Sequence, residues 1–290
     1  MKQRFVMHGK GAQMTGLMRV AVVLSLILCG GICFADDNNS NQLVQTLMHK
    51  SGLKKQIEQV PQLLQAELDQ QQMEAKGLTQ EDFKKISRMA RSAFDAKTIH
   101  DTVQTYIKSN LPENDTRAVL EWLDSPLGRK ITRLEEDAST AEAYTEMQAI
   151  GPKLLDENKD SARIQKIKRL DNAIGATEST ITTVLNIQLA MITAMSGAME
   201  ADKGPAFEDV QELVNRTRSQ IQAVMERMVQ MQFLYSYREL TDYEIDRYTQ
   251  FAESKPGQRY HFVSIRAIDE ALVRAARKMG SQMGMRMNRI

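Results

Sequence analysis

From residue 36 onward, apolar side chains recur every three or four positions, and no long run alternates apolar with polar. Phe83, Ile86, Ala90, Ala93 and Phe94 fall on one such stripe, and Ile99, Val103, Tyr106 and Ile107 on another. That period lines one face of an α-helix, whereas a half-buried strand needs period two. The same region is rich in Ala, Leu, Met, Gln, Glu, Lys and Arg, which lose little freedom in a helix. The expected fold class is therefore all-α. Helix ends are expected at Gly52, Gly77 and Gly151-Pro152, and Pro61 should start or kink a helix. Thr79, with Asp82 three residues on, reads as an N-cap in a capping box.

Residues 1–35 read differently. Lys2, Arg4, Lys10 and Arg19 precede the apolar run VAVVLSLILC, and GGICFA leads into the polar DDNNSN. Such an apolar run is too short to span a bilayer and fits a secretory signal peptide cut near Ala35. Neither Cys29 nor Cys33 follows the small residue that lipid attachment requires. Export to the periplasm is expected, with both cysteines lost. The leader holds four of the 38 basic residues and none of the 37 acidic ones, so the remainder carries 34 against 37, a net charge of −3. That balance argues against nucleic acid as a partner. Losing both cysteines excludes thiol chemistry and Cys-ligated zinc, and a chain of this length can bury a core without disulfides.

The halves repeat one another in colinear order. Ser51-Gly52 matches Ile174-Gly175 at an offset of 123, Met73-Glu74-Ala75 matches Met199-Glu200-Ala201 at 126, and Lys76-Gly77 matches Lys203-Gly204 at 127. Tyr106, Leu111, Ser125 and Gly128 match Tyr235, Leu240, Ser254 and Gly257, all at 129. An offset that only drifts upward reads as a tandem duplication, with units at 36–158 and 159–290 of about five helices each.

The fullest match pairs YIKSNLPENDTRAVLEWLDSPLGRK (106–130) with YSYRELTDYEIDRYTQFAESKPGQR (235–259). Each runs from a tyrosine through an acidic turn to a helix bearing Trp122 or Phe251, then Ser-Pro-x-Gly or Ser-x-Pro-Gly and a basic residue. This resembles the bacterial DUF2059 family, with the second half carrying the fuller likeness. The resemblance implies an exported all-α protein and supplies no catalytic residues.

Within the motif, Ser125 should cap a helix, with Pro126 in its first turn and Gly128 allowing close approach. Ser254, Pro256 and Gly257 repeat the arrangement. Tyr106, Trp122, Tyr235 and Phe251 are the expected structural anchors. A nucleophilic Ser125 would need a base, and neither serine has a repeat-matched histidine among His49, His100 and His261. No catalytic residues, cofactor or phosphate-binding loop are expected.

Methionine is the less ordinary feature. Met191, Met195 and Met199 recur every four residues, and Met225, Met228 and Met231 every three, as buried helix faces would. Met279, Met283, Met285 and Met287 crowd a basic C-terminal end, where residues 268–279 are amphipathic enough to pack as a last helix and the final ten residues are expected to trail. They are the candidate ligands for Cu(I), since soft thioethers select that ion. Residues 179–199 carry no charge and approach a membrane span in length, but their Ser, Thr, Asn and Gln content favours a helix buried between the halves over a transmembrane segment. The leading functional expectation is a non-enzymatic scaffold binding another envelope protein or peptide, with a homodimer left open. A carrier of an apolar molecule in a pocket between the halves is the alternative, and copper binding the third.

Overall fold

The computed structural model describes residues 37–74, 79–199 and 207–287. The leader, the Gly77 stop, the repeat matches at 75–77 and 200–204, and the last three residues lie outside these. Every regular element among the described residues is an α-helix, so the fold is all-α. The first half supplies α1 (Asp37–Lys50), α2 (Leu53–Glu74), α3 (Gln80–Ala93), α4 (Ala96–Asn110), α5 (Glu113–Asp124), α6 (Pro126–Ala138) and α7 (Ala141–Asn158). The second supplies α8 (Ala162–Ile174), α9 (Ala176–Gly197), α10 (Phe207–Ser236), α11 (Asp242–Glu253) and α12 (Lys255–Met287).

Helix lengths and ends correspond at the offsets found in the sequence. Gly52 (φ 63°) follows α1 and Gly175 (φ 76°) follows α8, the left-handed geometry glycine adopts without a Cβ penalty. α2 and α9 each have 22 residues, and α5 and α11 each have 12. Ser125 Oγ accepts from Gly128 N at 2.9 Å, and Ser254 Oγ from Gly257 N at 3.2 Å. A Cβ on Gly128 would collide with the Trp122 carbonyl, and one on Gly257 with the Phe251 carbonyl, so each glycine lets its helix turn tightly off the one before. The halves differ where the first is interrupted. Asp95 accepts from Thr98 N and restarts the chain as α4, and Thr140 accepts from Ala143 N and restarts it as α7. The second half crosses the corresponding stretches in single helices of 30 and 33 residues, α10 and α12. The first half therefore has seven helices instead of the expected five.

Three sequence expectations change. Gly151 and Pro152 lie inside α7 rather than ending it. A glycine stop needs positive φ, which among the described glycines only Gly52 and Gly175 have. Gly151 instead lets α7 approach α10, because a Cβ there would lie 3.3 Å from Met231 Cβ. Pro61 lies within α2, which starts upstream at Leu53, so it does not start that helix. Residues 281–287 are the last turns of α12 rather than a trailing tail, because Gly280 and Gly284 seat that helix against the backbone of α9 at Met191 and Met195. The Thr79 expectation holds: Thr79 Oγ1 accepts from Asp82 N at 3.2 Å, and the Asp82 carboxylate accepts from Thr79 N at 3.4 Å.

The halves interlock. α12 packs along α9 and lays its other side on α3, α4 and α5, while α7 crosses to pack on α10. One apolar cluster runs through both halves, from Leu43 and Leu47 to Ala276 and Met279. A satellite of Ala138, Ala143, Met147 and Tyr235 fills the α7–α10 crossing. The charge-free helix α9 is buried at Ile181, Val184, Leu185, Ile187 and Ala190, and half-buried or exposed from Met191 onward, so it is central only for two-thirds of its length. By length and composition it is the one described helix able to cross a membrane.

Candidate functional site

At the junction the two anchors expected from the motif meet each other. Trp122 on α5 stacks on Phe251 on α11, with centroids 4.6 Å apart and planes 5° from parallel. They are matched residues at offset 129. Both are half-buried rather than core, although they pack against it. Two ion pairs flank the stack in reciprocal positions. Lys130 of α6 pairs with Glu244 of α11 at 2.8 Å, and Arg259 of α12 pairs with Asp115 of α5. Offset 129 carries Lys130 onto Arg259 and Asp115 onto Glu244, so each half contributes one acid and one base at corresponding positions. Residues at corresponding positions thus touch each other, and the two flanking ion pairs are exchanged between the same positions.

Behind the stack lies a buried polar group that sequence reading missed. Glu135 of α6 is 5% exposed, and its Oε1 accepts from Tyr237 Oη at 2.7 Å and Tyr248 Oη at 3.1 Å, both from the second half. Its Oε2 has no protein partner. Burial pushes the carboxyl up to about 7 against the pull of the two hydroxyls. His261 of α12 is 1% exposed, its ring 6.5 Å from that of Tyr248, and burial pushes it down to about 3. Tyr237 and Tyr248 also pack edge-on at 5.8 Å. The other matched tyrosines diverge. Tyr106 is half-buried against the core, whereas Tyr235 is buried, donates to Glu146 of α7 and lies under Arg238, whose Cζ is 4.1 Å from the ring centroid.

A second feature runs along the surface between α9 and α12. It is an open trough in two stretches, of about 280 and 610 Å³, that share Asp269. Its α12 wall runs from Gln258 to Ser281, which spans about 35 Å at helical rise. The α9 wall includes Thr182, Asn186, Leu189 and Thr193. Phe262 stands in the first stretch at 60% exposure. The trough's acids are engaged: Asp269 accepts from Asn186 Nδ2 at 3.1 and 3.0 Å, Glu270 pairs with Arg274, and Glu178 pairs with Arg218. Arg266 and Arg277 of α12 also line the trough, so its charge lies on α12 and on Glu178, and the outer face of α9 carries none from Ser179 onward, while its inner face enters the core.

The remaining expected residues are dispersed. His49 and His100 line a groove of about 620 Å³ with Lys50, Lys54, Lys97 and Glu58. Among the described residues no group of three His, Cys, Asp or Glu could hold a metal. Met279 is 4% exposed in the core, Met283 packs against that core, and Met285 is 53% exposed. Met287 lies beyond the described side chains.

Fold and junction together define an all-helical chain in which two corresponding halves interlock through matched residues. Residues 97–157 match the model of the DUF2059 family, described as an uncharacterized protein conserved in bacteria. The match runs from α4 to the end of α7, in the first half, where the sequence reading gave the second half the fuller likeness. No curated protein and no solved structure matches the chain.

Proposed function

We propose that this chain is an exported, non-enzymatic binding scaffold made by tandem duplication of a DUF2059-like unit, and that its trough between α9 and α12 receives a segment of another envelope protein or peptide. The observation that carries the reading is the wall that α9 presents from Ser179 onward, beyond Glu178, which carries no charge. Elsewhere the outward faces of these helices bear Lys, Arg, Asp and Glu, whereas this wall offers Thr, Asn, Leu and Ala beside an exposed Phe262. A long open groove with an aromatic at one end fits an extended or helical segment better than a small molecule, which needs enclosure. The carrier reading looks for space between the halves, where Trp122 and Phe251 stack. The copper reading looks for convergent thioethers, whereas Met279 faces the core and Met285 faces solvent.

The duplication reading rests on the matched helix lengths, the two left-handed glycines and the exchanged ion pairs. The export reading rests on the leader. Photo-crosslinkers at Thr193 and Phe262, in cells of the native host, should give one common adduct that is absent with the crosslinker at exposed Arg247 and lost when Ala194→Arg puts a charge in the trough. The same adduct from all three positions, or none from the trough, contradicts the reading.

A further inference from the structure

The junction holds one carboxyl that its packing alone does not explain. Glu135 comes from the first half, and both groups that bind it come from the second. Its two hydrogen bonds fall on the same oxygen, and the other oxygen has no protein partner. No cation faces it. Tyr237 approaches from the turn that follows α10, and Tyr248 from α11. On its own helix, Glu136 is engaged by Lys55 at 2.8 Å and Lys130 by Glu244 at 2.8 Å. From α8, Arg163 turns to Asp242 and to the carbonyls of Tyr237 and Leu240. From α12, His261 lies beyond Tyr248, with neither ring nitrogen partnered within the protein. An ionised carboxylate that is fully buried without a counter-charge is costly, and the group answers by holding a proton.

We propose that Glu135 is a proton-binding site that fastens the two halves, closing their junction when protonated and loosening it when ionised. The site lies about where the halves exchange contacts, so ionisation acts on the interface rather than on one helix. Its sign follows from linkage. The carboxyl sits near 4.5 when unfolded and is pushed up to about 7 when folded. Its stabilisation is therefore complete below about 4.5 and lost as pH rises through 7. His261 acts oppositely: held at about 3 against 6.5 unfolded, it removes stability as pH falls from 6.5 toward 3. The two together place the optimum in mildly acid solution.

Trp122 is the chain's single tryptophan and stacks at this junction, so its fluorescence reports opening there. Urea unfolding of the mature full chain and of Glu135→Gln, followed by that signal at pH 5 and pH 8, isolates the carboxyl, because His261 is common to both. Between these values the folding constant of the wild type should fall relative to the variant by about two orders of magnitude. An equal pH response in the two proteins, within threefold, overturns the proposal. Should Glu135→Gln fail to fold, carbon-13 titration of the wild-type glutamate carboxyls decides instead. One signal titrating near neutrality supports the site, and titration of every glutamate below about pH 5.5 refutes it.

Discussion

Ser139 and Thr140 end α6 and begin α7, whereas Ile268 and Asp269, at the matched positions, lie mid-helix in α12. A Thr hydroxyl can take a backbone N–H and start a new helix, as Thr140 does for α7. The consequences run through the molecule. The bent first-half segment crosses to α10, while the straight second-half helix stays on α9 and still reaches α3, α4 and α5. Gly151 and Gly280 are matched at offset 129, yet Gly151 meets side-chain atoms of Met231 in the other half and Gly280 meets the backbone of Met191 in its own. The same skeleton thus serves two tasks, a junction in one half and a trough wall in the other.

The matched glycines give the largest effect with which to break this comparison. Gly280→Ala drives a Cβ into the Met191 carbonyl and should cost about 3 kcal/mol, the upper end for overpacking. Gly151→Ala has 3.3 Å to a side-chain carbon, so Met231 can yield and the change should stay within about 1 kcal/mol. Urea denaturation of both variants checks the order, and equal costs would mean that the two helices pack alike. Next comes the stack. Trp122→Ala should cost about 2–3 kcal/mol, below the 3–5 of a fully buried ring, because the residue is half-buried. A melting temperature that does not move would remove the stack from the junction's energetics. The smallest effect belongs to the exchanged ion pairs. Each should couple by roughly 0.5–1 kcal/mol in a double-mutant cycle, screened by salt, since all four side chains are partly exposed. Lys130–Glu244 and Asp115–Arg259 should give similar values, and one coupled pair beside one silent pair would argue against equivalent roles for the exchanged pairs.

Much of this was legible in the sequence, and the failures are instructive. Periodicity gave the helices, and capping chemistry gave Thr79 and Ser125. The exchanged ion pairs lay within the two aligned segments. Asp115 over Glu244 and Lys130 over Arg259 keep their charge at offset 129, a signal strong enough to have named them. Glu135 gave no such signal, because its counterpart is Ser264 and its partners come from elements over 100 residues away. The α9 wall read as a buried helix because lack of charge does not distinguish a core face from the wall of a trough. Gly284 read as part of a loose tail because composition does not reveal that a glycine is seated on another helix.

The most direct test of the central claim, that the two halves are locked together through one shared core and junction, is to cut them apart. A protease site placed in the turn between Asn158 and Ala162 allows the folded mature chain to be cleaved and then weighed by native mass spectrometry. The account predicts that both fragments remain together at the full combined mass and melt in one transition. Fragments that separate after cleavage, each folded and alone, would contradict it.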